Sequence, residues 1–179
     1  HSTPGKFVTA MHMLGFERTV EVAVGADMCT IEEAKDFLEK VPSEQSYMAT
    51  SCCPAWHDMV RKFYPDQAKN LSMTLTPMVF TARLMKKKYP GCKVVFVGPC
   101  AAKKLEAIRS NIRSDVDFVM TFEELQGMFE AKQINFETIE PMYDLNEGTA
   151  AGRGFAVAGG VAGAVEKLIH ETNPEVEVK

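Results

Sequence analysis

A chain of 179 residues that is 46% hydrophobic, with a formal net charge of −4, fits one domain of ordinary size with a real core. The slight acidity supplies no basic field for nucleic acid, and no apolar run approaches the roughly 18 residues needed to span a bilayer. Five cysteines, Cys29, Cys52, Cys53, Cys92 and Cys100, are odd in number and irregular in spacing, so they suggest no disulfide framework and favour a reduced, cytoplasmic protein.

In chain order, Thr3-Pro4 reads as an N-cap with proline at the first helical position. Phe7, Val8, Met11 and Leu14 then recur at helical spacing until Gly15. Val20, Val22 and Val24 alternate, which predicts a strand over 19–24, with 25–29 as the connection. Thr30 and Glu33 have capping-box spacing for a helix to about Lys40. A short strand over 47–50 precedes a helix from Pro54 that ends before Pro65. A second long helix runs from Pro77 to about Tyr89, and Lys86, Lys87 and Lys88 suit its negative C-terminal end. Strands are expected at 93–97 and 118–121, followed by a helix over 122–132. A Gly- and Ala-rich stretch over 148–163 leads into a last helix. Strands alternating with helices predict an α/β fold with a mostly parallel sheet flanked by helices.

In such sheets ligands bind beyond the C-terminal ends of the strands. The connections at 25–29, 51–53 and 98–100 all follow predicted strands, so they should share one edge and bring Cys52, Cys53 and Cys100 together. Cys53 precedes Pro54 at a helix start, where the positive dipole end favours a thiolate. Cys100 is followed by Lys103 and Lys104, and Lys103 falls one helical turn from it. A thiolate is the form that binds metal, and a cation there suits a thiolate or an anionic metal ligand. Cys29 and Cys92 read as small buried hydrophobes, and His12, His57 and His170 as ordinary helix histidines.

The segments Thr50-Ser51-Cys52-Cys53-Pro54-Ala55-Trp56 and Pro99-Cys100-Ala101-Ala102-Lys103-Lys104-Leu105-Glu106 resemble the first two cluster-binding signatures of the [FeFe]-hydrogenase catalytic domain. The resemblance extends to Thr3-Pro4-Gly5-Lys6, Gly25-Ala26-Asp27 with Glu32-Glu33, Asn70-Leu71-Ser72, and Phe155 with Gly159-Gly160-Val161, so it covers essentially the whole chain. It implies that Cys53 and Cys100 bind irons of the [4Fe-4S] half of the H-cluster. Cys52 would be the proton-transfer thiol facing the diiron subcluster, and Lys103 would hydrogen-bond a cyanide ligand. Pro77 and Phe155 would line the pocket, and Glu33, Ser72 and Asp36 would continue the proton path. Read from the residues alone, Glu33 serves a capping box or the relay, Ser72 a turn or the relay, and Asp36 a solvated helix face.

The same resemblance implies reversible reduction of protons to dihydrogen, with ferredoxin or a similar carrier as electron partner. The third signature, which supplies the other two cysteine ligands, is missing, since no cysteine follows Cys100. Two thiolates do not make a four-cysteine site. The 179 residues are therefore expected to be one lobe of a two-lobed catalytic domain, inactive alone. Its partner would be the C-terminal lobe of the same protein, and its open face could pair with a second copy. Residues 173–179 read as the lead-in to a further strand. Gly98 stands where methionine is usual, Ala55 where glycine is common and Met78 where glutamine is common. These departures suit an alternative, a slow or non-catalytic H-cluster sensor module. An iron–sulfur assembly factor related to the hydrogenases fits the Cys52-Cys53-Pro54 signature less well, and a thiol oxidoreductase lacks the CxxC pair.

Overall fold

The computed structural model describes residues 2–178. Three helices start as their prolines dictate. Thr3 caps α1 (Pro4–Met13) by accepting from the Lys6 N–H at 3.3 Å, while α3 (Pro54–Phe63) and α4 (Pro77–Lys88) also carry proline in their first turn. β1 (Val95–Val97) and β2 (Phe118–Met120) pair in parallel, with Val95 opposite Phe118 and Val97 opposite Met120. Between them lies the short helix α5 (Ala102–Ala107). Helix α6 (Phe122–Ala131) begins with a reciprocal capping box between Thr121 and Glu124. The chain closes with α7 (Ala150–Arg153), a 3₁₀ turn at Gly154–Ala156 and α8 (Gly160–Thr172).

The α/β class holds, with more helix and less sheet than the sequence suggests. The strand expected over 47–50 reduces to a single parallel bridge between Ala49 and Leu71. The strand expected over 19–24 does not form. Instead α2 runs over Ala23–Lys40 and absorbs the predicted connection at 25–29. Gly25 looks like a loop residue, but its role is close packing. A Cβ there would stand 2.2 Å from the Pro77 carbonyl oxygen, so its absence lets α2 lie against the start of α4. Thr30 is consequently mid-helix and bonds back to the Ala26 carbonyl at 3.0 Å, which corrects the capping box expected of Thr30 and Glu33.

Three buried clusters hold these elements. Met78, Val79 and Ala82 of α4 pack with Ala107, Ile112 and Val116 against Phe96 of β1. Ala10 and Met11 of α1 meet Leu125 and Phe129 of α6. Ala34 of α2 meets Val165 and Ile169 of α8, and Val176 and Val178 fold back onto this cluster. Residues 173–178 therefore form a packed turn segment without a strand, and Lys179 lies outside the described residues. No described helix is long and apolar enough to cross a membrane.

Gly148, Gly152 and Gly160 of the 148–163 stretch serve internal packing, whereas a Cβ on Gly154, Gly159 or Gly163 would meet nothing within 4 Å. A Cβ on Gly148 would stand 2.3 Å from the Ala23 side chain, and one on Gly152 would stand 2.4 Å from the Ala23 carbonyl oxygen. This segment is clamped to α2. Thr149 donates to Asp27 from its N–H (2.8 Å) and hydroxyl (2.5 Å), and Arg153 reaches Glu21 through Nε (2.6 Å) and Nη2 (2.9 Å).

Candidate functional site

The two cysteine motifs meet at Lys103. Its Nζ donates to the Cys52 carbonyl at 3.0 Å and pairs with Glu106 Oε2 at 2.7 Å. The i,i+3 spacing on α5 puts Lys103 and Glu106 on one face. Glu106 is 1% exposed, and its other oxygen, Oε1, accepts from the Thr76 hydroxyl at 2.6 Å. One buried chain thus runs from the first motif through the second to the start of α4. Lys104 turns the other way and pairs with Glu124 of α6.

Cys53 is the N-cap of α3, and its sulfur accepts from the Trp56 N–H at 3.5 Å. It is exposed, and Cys100, in the turn ahead of α5, is half-buried. Helices α3 and α5 pack together, with Cys53 at the start of the first and Cys100 in the turn ahead of the second. Cys52 is half-buried. Burial raises its thiol pKa, and the Lys103 charge acts against that rise. Among the described residues no group of three or more His, Cys, Asp or Glu side chains is placed to hold a metal ion. The donor set available to iron is two soft thiols beside a lysine. It fits half of a four-thiol cluster site and leaves two positions to be filled from elsewhere.

Glu33 presents the opposite situation to Glu106. It is 0% exposed, and neither carboxyl oxygen has a hydrogen-bond partner. Burial pushes its pKa up to about 7, and the Asp36 charge adds to the rise. The nearby Ser72 hydroxyl and Ser51 backbone pull it down. A buried orphan carboxyl calls for a proton or a bridging water. Cys29, one turn earlier on the same face of α2, is also 0% exposed, and its thiol pKa is raised by burial first and then by the charges of Glu33 and Cys52. Ser72, 1% exposed, accepts from the Thr74 N–H at 3.1 Å. Glu33, Ser72 and Cys29 therefore share one buried region, and half-buried Cys52 lies close enough to interact with Glu33 and Cys29 through charge. Asp36 is bound into an ion pair with Lys40 at 2.6 Å.

Pro77 sits half-buried at the first position of α4, where Thr81 donates to its carbonyl at 2.9 Å. Phe155 is half-buried in the 3₁₀ turn after α7, in the segment clamped to α2. Gly98 follows β1, and a Cβ there would stand 2.8 Å from the Phe96 ring, so that ring fills the space above it. Gly98→Met is expected to lower stability by about 1–3 kcal/mol through overpacking. Adding Phe96→Leu should recover part of the loss, and denaturant midpoints of the three proteins would check this.

The sequence alone does not single out Thr76, Glu106, Ser51 or Cys29 as site residues. The Lys103–Glu106 pair is open to discovery through its i,i+3 spacing, and Cys29 through its i,i+4 spacing to Glu33. Nothing local marks Thr76. Of the histidines, His12 Nδ1 lies 3.2 Å from the Phe16 carbonyl, His57 pairs with Asp58 at 2.9 Å, and His170 faces Glu166 at 3.7 Å.

Residues 1–179 match the family described as "Iron only hydrogenase large subunit, C-terminal domain". The sequence is 32% identical over 173 residues to iron hydrogenase 1 of Clostridium pasteurianum, covering 88% of this chain and 30% of that protein. It is 29% identical to the periplasmic [Fe] hydrogenase large subunit of Nitratidesulfovibrio vulgaris, covering 94% and 44%. It is also 28% identical to a cytosolic Fe-S cluster assembly factor of Scheffersomyces stipitis, covering 73% and 27%. The fold superposes with a TM-score of 0.77 on a solved [FeFe]-hydrogenase from a study of stepwise H-cluster assembly, at 29% identity and covering 94% and 46%. The chain thus spans between about a third and a half of the length of the hydrogenases it matches.

Proposed function

The chain belongs to the iron-only hydrogenase family, within the C-terminal domain of the large subunit, and from that premise we propose that it forms one lobe of an [FeFe]-hydrogenase catalytic domain. The observation that carries the reading is the Lys103 bridge, which holds the two cysteine motifs against each other. Cys53 and Cys100 provide two of four thiolate ligands to a [4Fe-4S] cluster, and the remaining two come from outside these 179 residues. With its diiron half bound, the cluster supplies reversible reduction of protons to dihydrogen, with electrons from a ferredoxin-type donor.

The chain's own residues supply orientation and protons. Lys103 presents a positive donor beside Cys52, suited to an anionic ligand such as cyanide. Cys52 holds a proton at its sulfur, and burial keeps that proton on. Glu33 is poised near neutrality, where a group both takes and gives protons, and Ser72 and Asp36 continue the path outward. Pro77 and Phe155 complete the apolar lining. The free thiols favour a cytoplasmic setting, although the periplasmic relative shows that the family does not dictate the compartment.

A second reading, a slow or non-catalytic sensor module, is favoured by the Phe96 ring over Gly98, where the resemblance leads one to expect a methionine. The test uses the intact protein carrying this chain, loaded anaerobically with iron and sulfide. Electron paramagnetic resonance should report a [4Fe-4S] cluster that Cys53→Ser and Cys100→Ser each abolish, and a low-potential dye should drive dihydrogen evolution. The 179-residue chain alone should evolve none. A cluster indifferent to both substitutions would overturn the assignment. A cluster without turnover would favour the sensor.

A further inference from the structure

We propose that Thr76 is a positioning residue for Lys103, acting through Glu106. Among the described residues, threonines stand at the N-cap position of four helices. Three of them, Thr3, Thr121 and Thr149, turn their hydroxyls onto N–H groups of their own helix. Thr76 does not. It stands at the N-cap of α4 with extended backbone, yet makes no side-chain cap and donates to Glu106 Oε1 at 2.6 Å instead. Residues 76 and 106 are 30 positions apart, so this bond is a tertiary one between α4 and α5.

Its consequence follows from how Glu106 is satisfied. The carboxylate is 1% exposed, so its two oxygens depend on protein donors. Thr76 fixes Oε1, which leaves Oε2 aimed at the Lys103 ammonium at 2.7 Å. Lys103 in turn reaches the Cys52 carbonyl at 3.0 Å, its side chain only 12% exposed. Without the Thr76 hydroxyl, the carboxylate is free to turn about its own axis, and the lysine loses its fixed anchor. The same threonine directly precedes Pro77, so one residue ties the aim of Lys103 to the start of the helix that carries a pocket-lining position. A small cavity of about 70 Å³, lined by polar and apolar side chains including Thr76, Glu106, Arg109, Val79 and Ile112, adjoins the chain on one side. It gives a released Glu106 carboxylate room to move.

The inference rests on the hydrogenase reading only for the purpose Lys103 serves, and two measurements separate them. In the intact protein without cluster, the Lys103 ammonium should give a slowly exchanging proton–nitrogen magnetic resonance signal, assigned by its loss in Lys103→Arg. Thr76→Val should shift or broaden it, and Thr76→Ser should restore it. In the cluster-loaded protein, Thr76→Val should shift the infrared band of a cyanide ligand, and Thr76→Ser should return it. A Thr76→Val protein that folds and leaves the ammonium signal unchanged overturns the proposal, whether or not a cluster loads. If Thr76→Val does not fold, Thr76→Ala decides, since it too removes the hydroxyl that Glu106 accepts from. An ammonium signal unmoved by that substitution equally refutes the chain, and a displaced one supports it. Failure of the wild type to load a cluster would count against the hydrogenase reading alone, since the ammonium measurement stands without it.

Discussion

Replacing Lys103 with methionine is expected to destabilise the fold by about 3–5 kcal/mol, far more than loss of an exposed lysine would. The reason is Glu106. Its carboxylate is 1% exposed and has two partners, the Thr76 hydroxyl and the Lys103 ammonium. A surface ion pair contributes at most about 1 kcal/mol, since water replaces either partner. Here water has little access, and removing the cation leaves a buried anion with a single neutral donor. Lys103→Met combined with Glu106→Leu removes both charges and should recover most of the lost stability, because a buried pair contributes little net over an apolar replacement of similar volume. Denaturant midpoints for wild type, both single variants and the double variant close the cycle. A single variant that costs less than about 1 kcal/mol would mean the pair behaves as a solvated one. The double variant should also lose the function of the site, since the cation beside Cys52 is gone, so stability and activity are expected to part company.

Much of this architecture is written locally in the sequence. Thr3-Pro4, Cys53-Pro54 and Thr76-Pro77 each announce a helix, because proline at the first turn loses no hydrogen bond and presets the backbone. The β-branched run ending at Val97 and the capping residues at Thr121 and Glu124 are equally local. The start of α2 is not legible. Val20, Val22 and Val24 alternate as a strand would, and Gly25 looks like a break. Both signals yield to the contact of Gly25 with Pro77, 52 positions away, which no window of sequence contains. The same holds for the site. The resemblance draws attention to Cys52, Cys53, Cys100 and Lys103, and the structure sets Lys103 against Cys52. The support behind them is long-range. Thr76 is ordinary in its own neighbourhood, and it acquires a role only when α4 and α5 come together. Glu33 illustrates the reverse error. Its spacing from Thr30 mimics a capping box, whereas α2 carries both past its start and buries the carboxyl completely.

That burial leads to the second large effect, a stability that falls as pH rises across the neutral range. Glu33 has its pKa raised from 4.5 to about 7, so the folded protein binds this proton more tightly than the unfolded chain does. Its contribution is fully present below the unfolded value and is lost as pH climbs through about 7. The whole shift corresponds to about 3 kcal/mol at most. Asp117, Asp58 and Glu21 are shifted the other way, by the ion pairs and hydrogen bonds of Lys86, Lys93, His57, Arg109 and Arg153, so their contributions fade only at acid pH. Glu33 is therefore the carboxyl whose shift falls in the window between pH 4.5 and 7. Glu33→Gln removes the ionisation. Its unsatisfied amide adds a penalty that does not depend on pH, so the diagnostic is the slope and not the midpoint at any single pH. Chemical denaturation of wild type should show stability declining across the window, and Glu33→Gln should show a flat profile there. In the loaded protein the same substitution should slow proton delivery by about 10²–10⁴-fold, as removal of a positioned acid–base group does. The Glu33 carboxyl is thus a structural liability above neutrality, and in the proposed relay it is the group that would move a proton. A wild-type profile already flat between pH 4.5 and 7 would show that the carboxyl finds a partner in solution and would remove the physical basis for the relay proposed for it.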